Sequence, residues 1–172
     1  VADPTEYAKV ADVIVEAFTA SFPVSDFYRA DMRNLAEHAR HFTVWVAEDP
    51  SDGRILGTVL VQRADAPTHA PGEVDGERGF RLLSVAPAGR GLGLGKALVA
   101  HAIAQIAAQG CRTVGIWSGP QMVAAHRVYE HFGFRRRPER ETFTVDGGQR
   151  PLAFTLDLPD PEPSNPAKGA TQ

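Results

Sequence analysis

Glycines occupy alternate positions 91, 93 and 95 in the segment Arg90-Gly91-Leu92-Gly93-Leu94-Gly95-Lys96. Without Cβ atoms there, a ligand can approach the main chain closely. If a helix begins at this point, its first N–H groups lack partners and its positive dipole end faces the same spot. Phosphate oxygens suit such a place. Arg90 would add a planar fork of donors and Lys96 a mobile cation. A plain tight turn with a solvated arginine is the alternative, but three alternating glycines exceed what a tight turn needs.

Spacing excludes two familiar nucleotide loops. A P-loop ending in Gly95-Lys96 requires glycine at Arg90 and Ser or Thr at Ala97. A dinucleotide fingerprint from Gly91 requires glycine or alanine at Lys96 and an acid about 20 residues on, where Cys111-Arg112-Thr113 stands.

The elements that would position this turn follow from periodicity. Phe80–Val85 alternates as a central strand, and Leu94, Leu98, Ala102 and Ile106 mark one side of a helix that Gly110 ends, with His101 on the opposite, surface side. Thr113–Trp117 reads as a buried strand. Ser118-Gly119-Pro120 then opens a helix whose Met122, Ala125, Val128, Tyr129 and Phe132 face inward. Upstream, Asp3-Pro4 starts a helix running to Thr19, and Ser25-Asp26 caps a second helix with Met32, Leu35, Ala36 and Ala39. Phe18, Phe22, Phe27 and Tyr28 cluster where the two meet. Phe42–Glu48 and Ile55–Gln62 form a hairpin, and a polar loop from Arg63 to Arg78 carries Glu73, Asp75 and Glu77. Phe134–Arg137, Thr142–Val145 and Leu152–Leu158 supply the last strands. The fold class is α/β (α+β): a mixed, mostly antiparallel twisted sheet of about six to seven strands with about four helices.

The whole chain bounds the function. Its 172 residues make one domain over 1–158, followed by a Pro-rich tail, 159–172, too poor in apolar residues to order itself. A net charge of −3 argues against a nucleic-acid partner. The longest apolar runs are too short for a membrane, and the first residues lack signal-peptide character, so the expectation is a cytoplasmic protein without a membrane partner. The lone Cys111 fits a reducing compartment and reads as a structural thiol. The sequence allows a homodimer without pointing to one.

Arg90-x-x-Gly93-x-Gly95, after a strand and before an amphipathic helix, resembles the acyl-coenzyme A loop of the GNAT family of N-acetyltransferases. Ala125-His126-Arg127-Val128-Tyr129-Glu130-His131-Phe132-Gly133-Phe134 is similar to that family's other signature, a helical tyrosine before a Gly-Phe turn. The resemblance covers about residues 1–158. It implies acetyl-coenzyme A as cofactor, held by Arg90 to Lys96 at the phosphates, by the backbone of Leu83, Ser84 and Val85 along the pantetheine arm, and by Met122 and Ala125 at the next helix. It also implies a first strand ending at Val1-Ala2, splayed strands that admit that arm, and Tyr129 as general acid toward the departing thiolate. A phenol with its ordinary pKa of about 10 is protonated at neutral pH, as a donor must be.

The chain departs from that pattern in two places. Phe80–Val85 lacks the carboxylate that members often carry there, so Glu77 is the candidate base and His126 the runner-up. Met122 stands where the family frequently has asparagine. Among histidines, His38 with His41 and His126 with His131 lack ligand-spaced partners, so no metal is assigned. The expected activity is acetyl transfer to a primary amine of a small molecule or peptide in a ternary complex. The competing reading, which the two departures favour, is a coenzyme-binding sensor of the same fold without turnover.

Overall fold

Asp3 accepts from the Thr5 N–H while Glu6 reaches back to the Asp3 N–H, a capping box that opens a 3-10 turn, Pro4–Glu6, and then α1 (Tyr7–Thr19). In this computed structural model, which describes residues 1–68 and 70–159, α1 buries Val10, Ile14, Ala17 and Phe18 along one face. Each fully buried side chain of this size stabilises by about 1.5–3 kcal/mol. Ser25 Oγ caps α2 (Asp26–Arg33) by accepting from the Tyr28 N–H at 3.1 Å. The expected second helix does not run through to Ala39. Asn34 leaves helical geometry at φ −87° and ψ 51°, and the chain resumes as α3 (Leu35–His38). Met32 and Leu35, on either side of that break, are both sealed in the core.

The sheet has six strands, β1 (Phe42–Glu48), β2 (Ile55–Gln62), β3 (Glu77–Val85), β4 (Thr113–Ser118), β5 (Arg135–Arg136) and β6 (Leu152–Asp157). Their order is β1-β2-β3-β4-β6-β5, antiparallel throughout except β3 with β4. A parallel pair needs a long connection, and α4 (Leu94–Ala108) supplies it between β3 and β4, with α5 (Val123–His131) following β4. All eight residues of β2 are buried, as expected of a strand covered on both faces. Leu60 joins one core with α1, Met32 and Leu35; Val59 and Val61 join the other with Leu98, Ile106, Ile116, Tyr129 and Phe154.

Several expectations need correction. The central strand starts at Glu77, not Phe80, so a carboxylate does stand on it. Thr142–Val145 is not a strand, because β6 is already paired on both sides, by β4 and by β5. Val145 instead donates to the Gln149 carbonyl around the left-handed Gly147 and Gly148. Ala2 is buried and donates to Val44 on β1, but forms no strand of its own. His101 is half-buried, its ring centroid 4.2 Å from that of Trp45. Burial pushes the Cys111 thiol up. Among the described residues no helix is long and apolar enough to cross a membrane. The tail expected over 159–172 lies, from residue 160 on, outside the described residues.

Candidate active site

The site begins where two strands part. β3 and β4 pair only at Glu77–Thr113, Arg78–Val114 and Gly79–Gly115. From Phe80 onward, the edge of β3 that faces β4 has no strand partner. A Cβ on Gly79 would strike the Gly115 carbonyl oxygen, and one on Gly115 would strike the Glu77 carboxylate, so only glycines allow this crotch to close. Just above it, Leu60 pairs with Arg81 and Thr58 with Ser84, which makes a bulge at Leu82-Leu83. Leu82 has φ 49°, the one positive value outside glycine among the described residues. Holding a side chain there costs about 1–2 kcal/mol. Ser84, buried, donates from Oγ to the Leu82 carbonyl at 3.0 Å and so braces the bulge.

At the far end of β3 a 3-10 turn, Pro87–Gly89, leads into the glycine segment. Gly91 and Gly93 take φ of 78° and 77°, and a Cβ built on either would have nothing within 4 Å. Gly93 is the N-cap of α4 and offers no side-chain cap, so the first amides of the helix, at Leu94, Gly95 and Lys96, face outward without one. Leu92 and Lys96 are exposed. The geometry suits a phosphate: bared amides stand at a helix mouth, with the exposed Lys96 in its first turn. Arg90 is placed differently from the simple rim cation expected. Its guanidinium donates to Ser21 Oγ at 3.0 Å and to the Ala17 carbonyl at 3.4 Å, tying the turn to the end of α1.

Across the fork stands Tyr129, 5% exposed, its ring between those of Phe80, Phe134 and Phe154 at centroid distances of 6.0, 5.7 and 5.7 Å. Burial pushes its hydroxyl well above the usual phenol range, and a hydrogen bond with Ser118 opposes that. Ser118, the last residue of β4, also lies 3.2 Å from His126 Nε2 and 3.5 Å from Met122 Sδ. Burial likewise lowers His126 below the usual imidazole value, against a hydrogen bond with the Gly119 backbone. Tyr129, Ser118 and His126 therefore form one chain of neighbouring polar groups, with Ser118 hydrogen-bonded to His126. Sequence reasoning gave Ser118 only a helix-opening task; the signal for the rest was His126, one helical turn before Tyr129 on the same face.

A cavity of about 600 Å³ lies against this chain. Phe18, Phe22 and Tyr28 wall it from α1, α2 and the link between them, Trp117 from β4, Phe143 from the segment ahead of β6, and Phe80, Leu82 and Leu83 from β3. Met122, Ala125 and Tyr129 reach it from α5, whereas Ser84, Val85 and residues 90–96 lie outside it.

Glu77 and Glu73 close the cavity's polar end, and both side chains are buried. Glu77 is 1% exposed, and Arg140 holds both of its oxygens, at 2.8 and 3.0 Å. Arg140 in turn stacks 4.9 Å above the Trp117 ring. Glu73 accepts from Gln62 Nε2 at 2.9 Å and Arg78 at 3.4 Å. Asp31, on the opposite wall, is held below the usual carboxylate range by His38 and by Arg81, the latter 3.0 Å away.

Comparison with known proteins bears on this arrangement. The family model described as "Acetyltransferase (GNAT) family" matches residues 7–134. The chain belongs to the GNAT acetyltransferase family. A mycothiol acetyltransferase of Cellulomonas flavigena is 32% identical, the match covering 72% of this chain and 41% of that protein. This chain thus spans less than half the length of the curated relatives it matches. Among solved structures, a GNAT acetyltransferase of Staphylococcus aureus superposes with a TM-score of 0.69 at 16% identity, covering 92% of this chain and 96% of the other. A GNAT N-acetyltransferase of Escherichia coli in complex with coenzyme A gives a TM-score of 0.65 at 22% identity, covering 91% and 78%. These likenesses establish the fold as that of GNAT proteins.

Proposed function

We propose that this GNAT chain, over residues 1–158, transfers an acetyl group from acetyl-coenzyme A to a primary amine of a small molecule or peptide, directly, in a ternary complex in the cytoplasm. The observation that carries the reading is the fork between β3 and β4, with an uncapped glycine helix mouth at one end and the Tyr129 hydroxyl beside it. Acetyl-coenzyme A, when bound, supplies the activated acetyl group as a thioester.

The chain's own residues do the rest. Amides of Gly91 to Lys96 and the Lys96 ammonium take the diphosphate, and the unpaired edge of β3 from Leu83 to Val85 offers main-chain groups to the arm that follows. Main-chain N–H groups next to the bulge are fixed in place and polarise the acetyl carbonyl as negative charge develops on its oxygen. Met122 and Ala125 flank the reacting end, and the cavity's aromatic walls exclude water from it.

Tyr129, kept neutral by burial, gives its proton to the departing sulfur. Ser118 then restores that proton, and the chain through His126 leads it in from the half-exposed face of α5. Placement supplies most of the acceleration. The acceptor must be a neutral amine. A base role for Glu77 would have to break both of its bonds to Arg140, so the apolar walls, which disfavour an ammonium, are the better account of deprotonation.

Thiol release, followed while acetyl-coenzyme A is mixed with a broad amine panel, tests the reading. Release that depends on an amine supports it. Tight coenzyme binding in calorimetry with no release for any amine would make the chain a sensor.

A further inference from the structure

In the sequence, the acids at and before the central strand suggest a cationic amine or are simply solvated; in the structure, Glu73 and Glu77 are buried in ion pairs. Each carboxylate that lines the cavity among the described residues is matched by an arginine: Asp31 by Arg81, Glu73 by Arg78 and Glu77 by Arg140. Two of the three, Glu73 and Glu77, have side chains only 4% and 1% exposed, so these pairs belong to the packed structure. A second ammonium brought into this space would lose its water and find only carboxylates already engaged, which is strongly unfavourable.

The walls offer a different complement. Phe18 packs edge-on against Phe22 and Tyr28, with centroids 6.5 and 5.9 Å apart, on one side. Trp117 and Phe143, 6.4 Å apart, form the other. Phe27, 75% exposed, extends the first wall out to the rim. Facing aromatic walls of this kind favour flat apolar groups, through area burial and ring-edge contacts.

We infer that the acceptor is a primary monoamine on an aromatic or similarly flat apolar body, with the amine directed toward Tyr129 and the body between the Phe22 and Phe143 walls. Polyamines are poor acceptors. This inference rests on the transferase reading above and narrows its substrate class.

The test compares 2-phenylethylamine, n-butylamine and putrescine with the same chain at saturating acetyl-coenzyme A, reading kcat/KM from thiol release. The expected order is 2-phenylethylamine first, at least tenfold above putrescine, with n-butylamine between. Phe22→Ala and Phe143→Ala should each raise KM for 2-phenylethylamine by about tenfold, bring it close to n-butylamine, and leave the coenzyme A dissociation constant unchanged. Putrescine equal to or better than 2-phenylethylamine overturns the inference while leaving acetyl transfer standing. If none of the three releases thiol, binding of each to the coenzyme A complex is measured by calorimetry. Preferential binding of 2-phenylethylamine, weakened in both variants, then upholds the aromatic selectivity and leaves acetyl transfer to the broad amine panel, whereas absence of such preference overturns the inference.

Discussion

Gly79 and Gly115 meet as partners at the last rung joining β3 to β4, where a Cβ on Gly79 would strike the Gly115 carbonyl and one on Gly115 the Glu77 carboxylate. The two strands part beyond that rung. A methyl group at Gly115 would displace the Glu77 carboxylate from Arg140. Gly115→Ala is therefore expected to cost about 1–3 kcal/mol, or about 2–10 °C in thermal midpoint, in calorimetric melting. An unchanged midpoint would show that the rung tolerates a side chain.

Glu77 and Arg140 can be separated from catalysis by a paired substitution. Glu77→Gln leaves a largely buried guanidinium without its partner and should lose about 3 kcal/mol in denaturant unfolding. Adding Arg140→Met should recover a good part of that. Turnover per folded molecule is expected to return with the stability. Its failure to do so in a fully stable double variant would restore Glu77 as the base.

Tyr129→Phe should lower kcat by about 10²-fold or more while the coenzyme A dissociation constant stays put. A pH signature accompanies it. Burial raises the Tyr129 hydroxyl, so the folded chain holds that proton more tightly than the unfolded chain does. The resulting stability is complete below the unfolded value of about 10 and is lost as pH rises through and beyond it. Unfolding free energy above pH 10 should thus fall more steeply in the native chain than in Tyr129→Phe.

Ser118→Ala cuts the link between Tyr129 and His126 and should reduce kcat about tenfold, equivalent to one good hydrogen bond. His126 is held below the ordinary imidazole value by burial, so its ring takes up a proton at lower pH than a free imidazole does. The native chain is expected to lose turnover as pH falls through the lowered value. A Ser118→Ala profile with the same acid limb would show that the limb comes from elsewhere.

Gly93→Ala sets a methyl at the mouth of α4 at φ 77°, with about 1–2 kcal/mol of backbone strain. Coenzyme A should bind roughly tenfold more weakly in calorimetry. Gly53→Ala, at φ 70° in the hairpin turn far along the chain, carries the same strain and serves as the control that leaves affinity unchanged.

Local patterns account for what was legible in the sequence. The glycine turn, the Leu98–Ile106 face of α4, the β1–β2 hairpin and the Tyr129 helix each rest on spacing within one element or across one turn. What escaped was long-range. The Gly79–Gly115 rung, the Arg140 to Glu77 pair 63 positions apart and the Arg90 bond to Ser21 need two distant segments in register, which no single window contains. Asn34 escaped for the opposite reason: a helix stripe that continued on paper gave way to the burial of both Met32 and Leu35. Ser118 carried too ordinary a side chain to stand out until the fold brought it to Tyr129 and His126.

Arg90 has a second consequence. Its guanidinium bonds Ser21, 69 positions away in the chain, and the Ala17 carbonyl, so the glycine turn and the segment that carries Phe18 and Phe22 are moored to each other at one point.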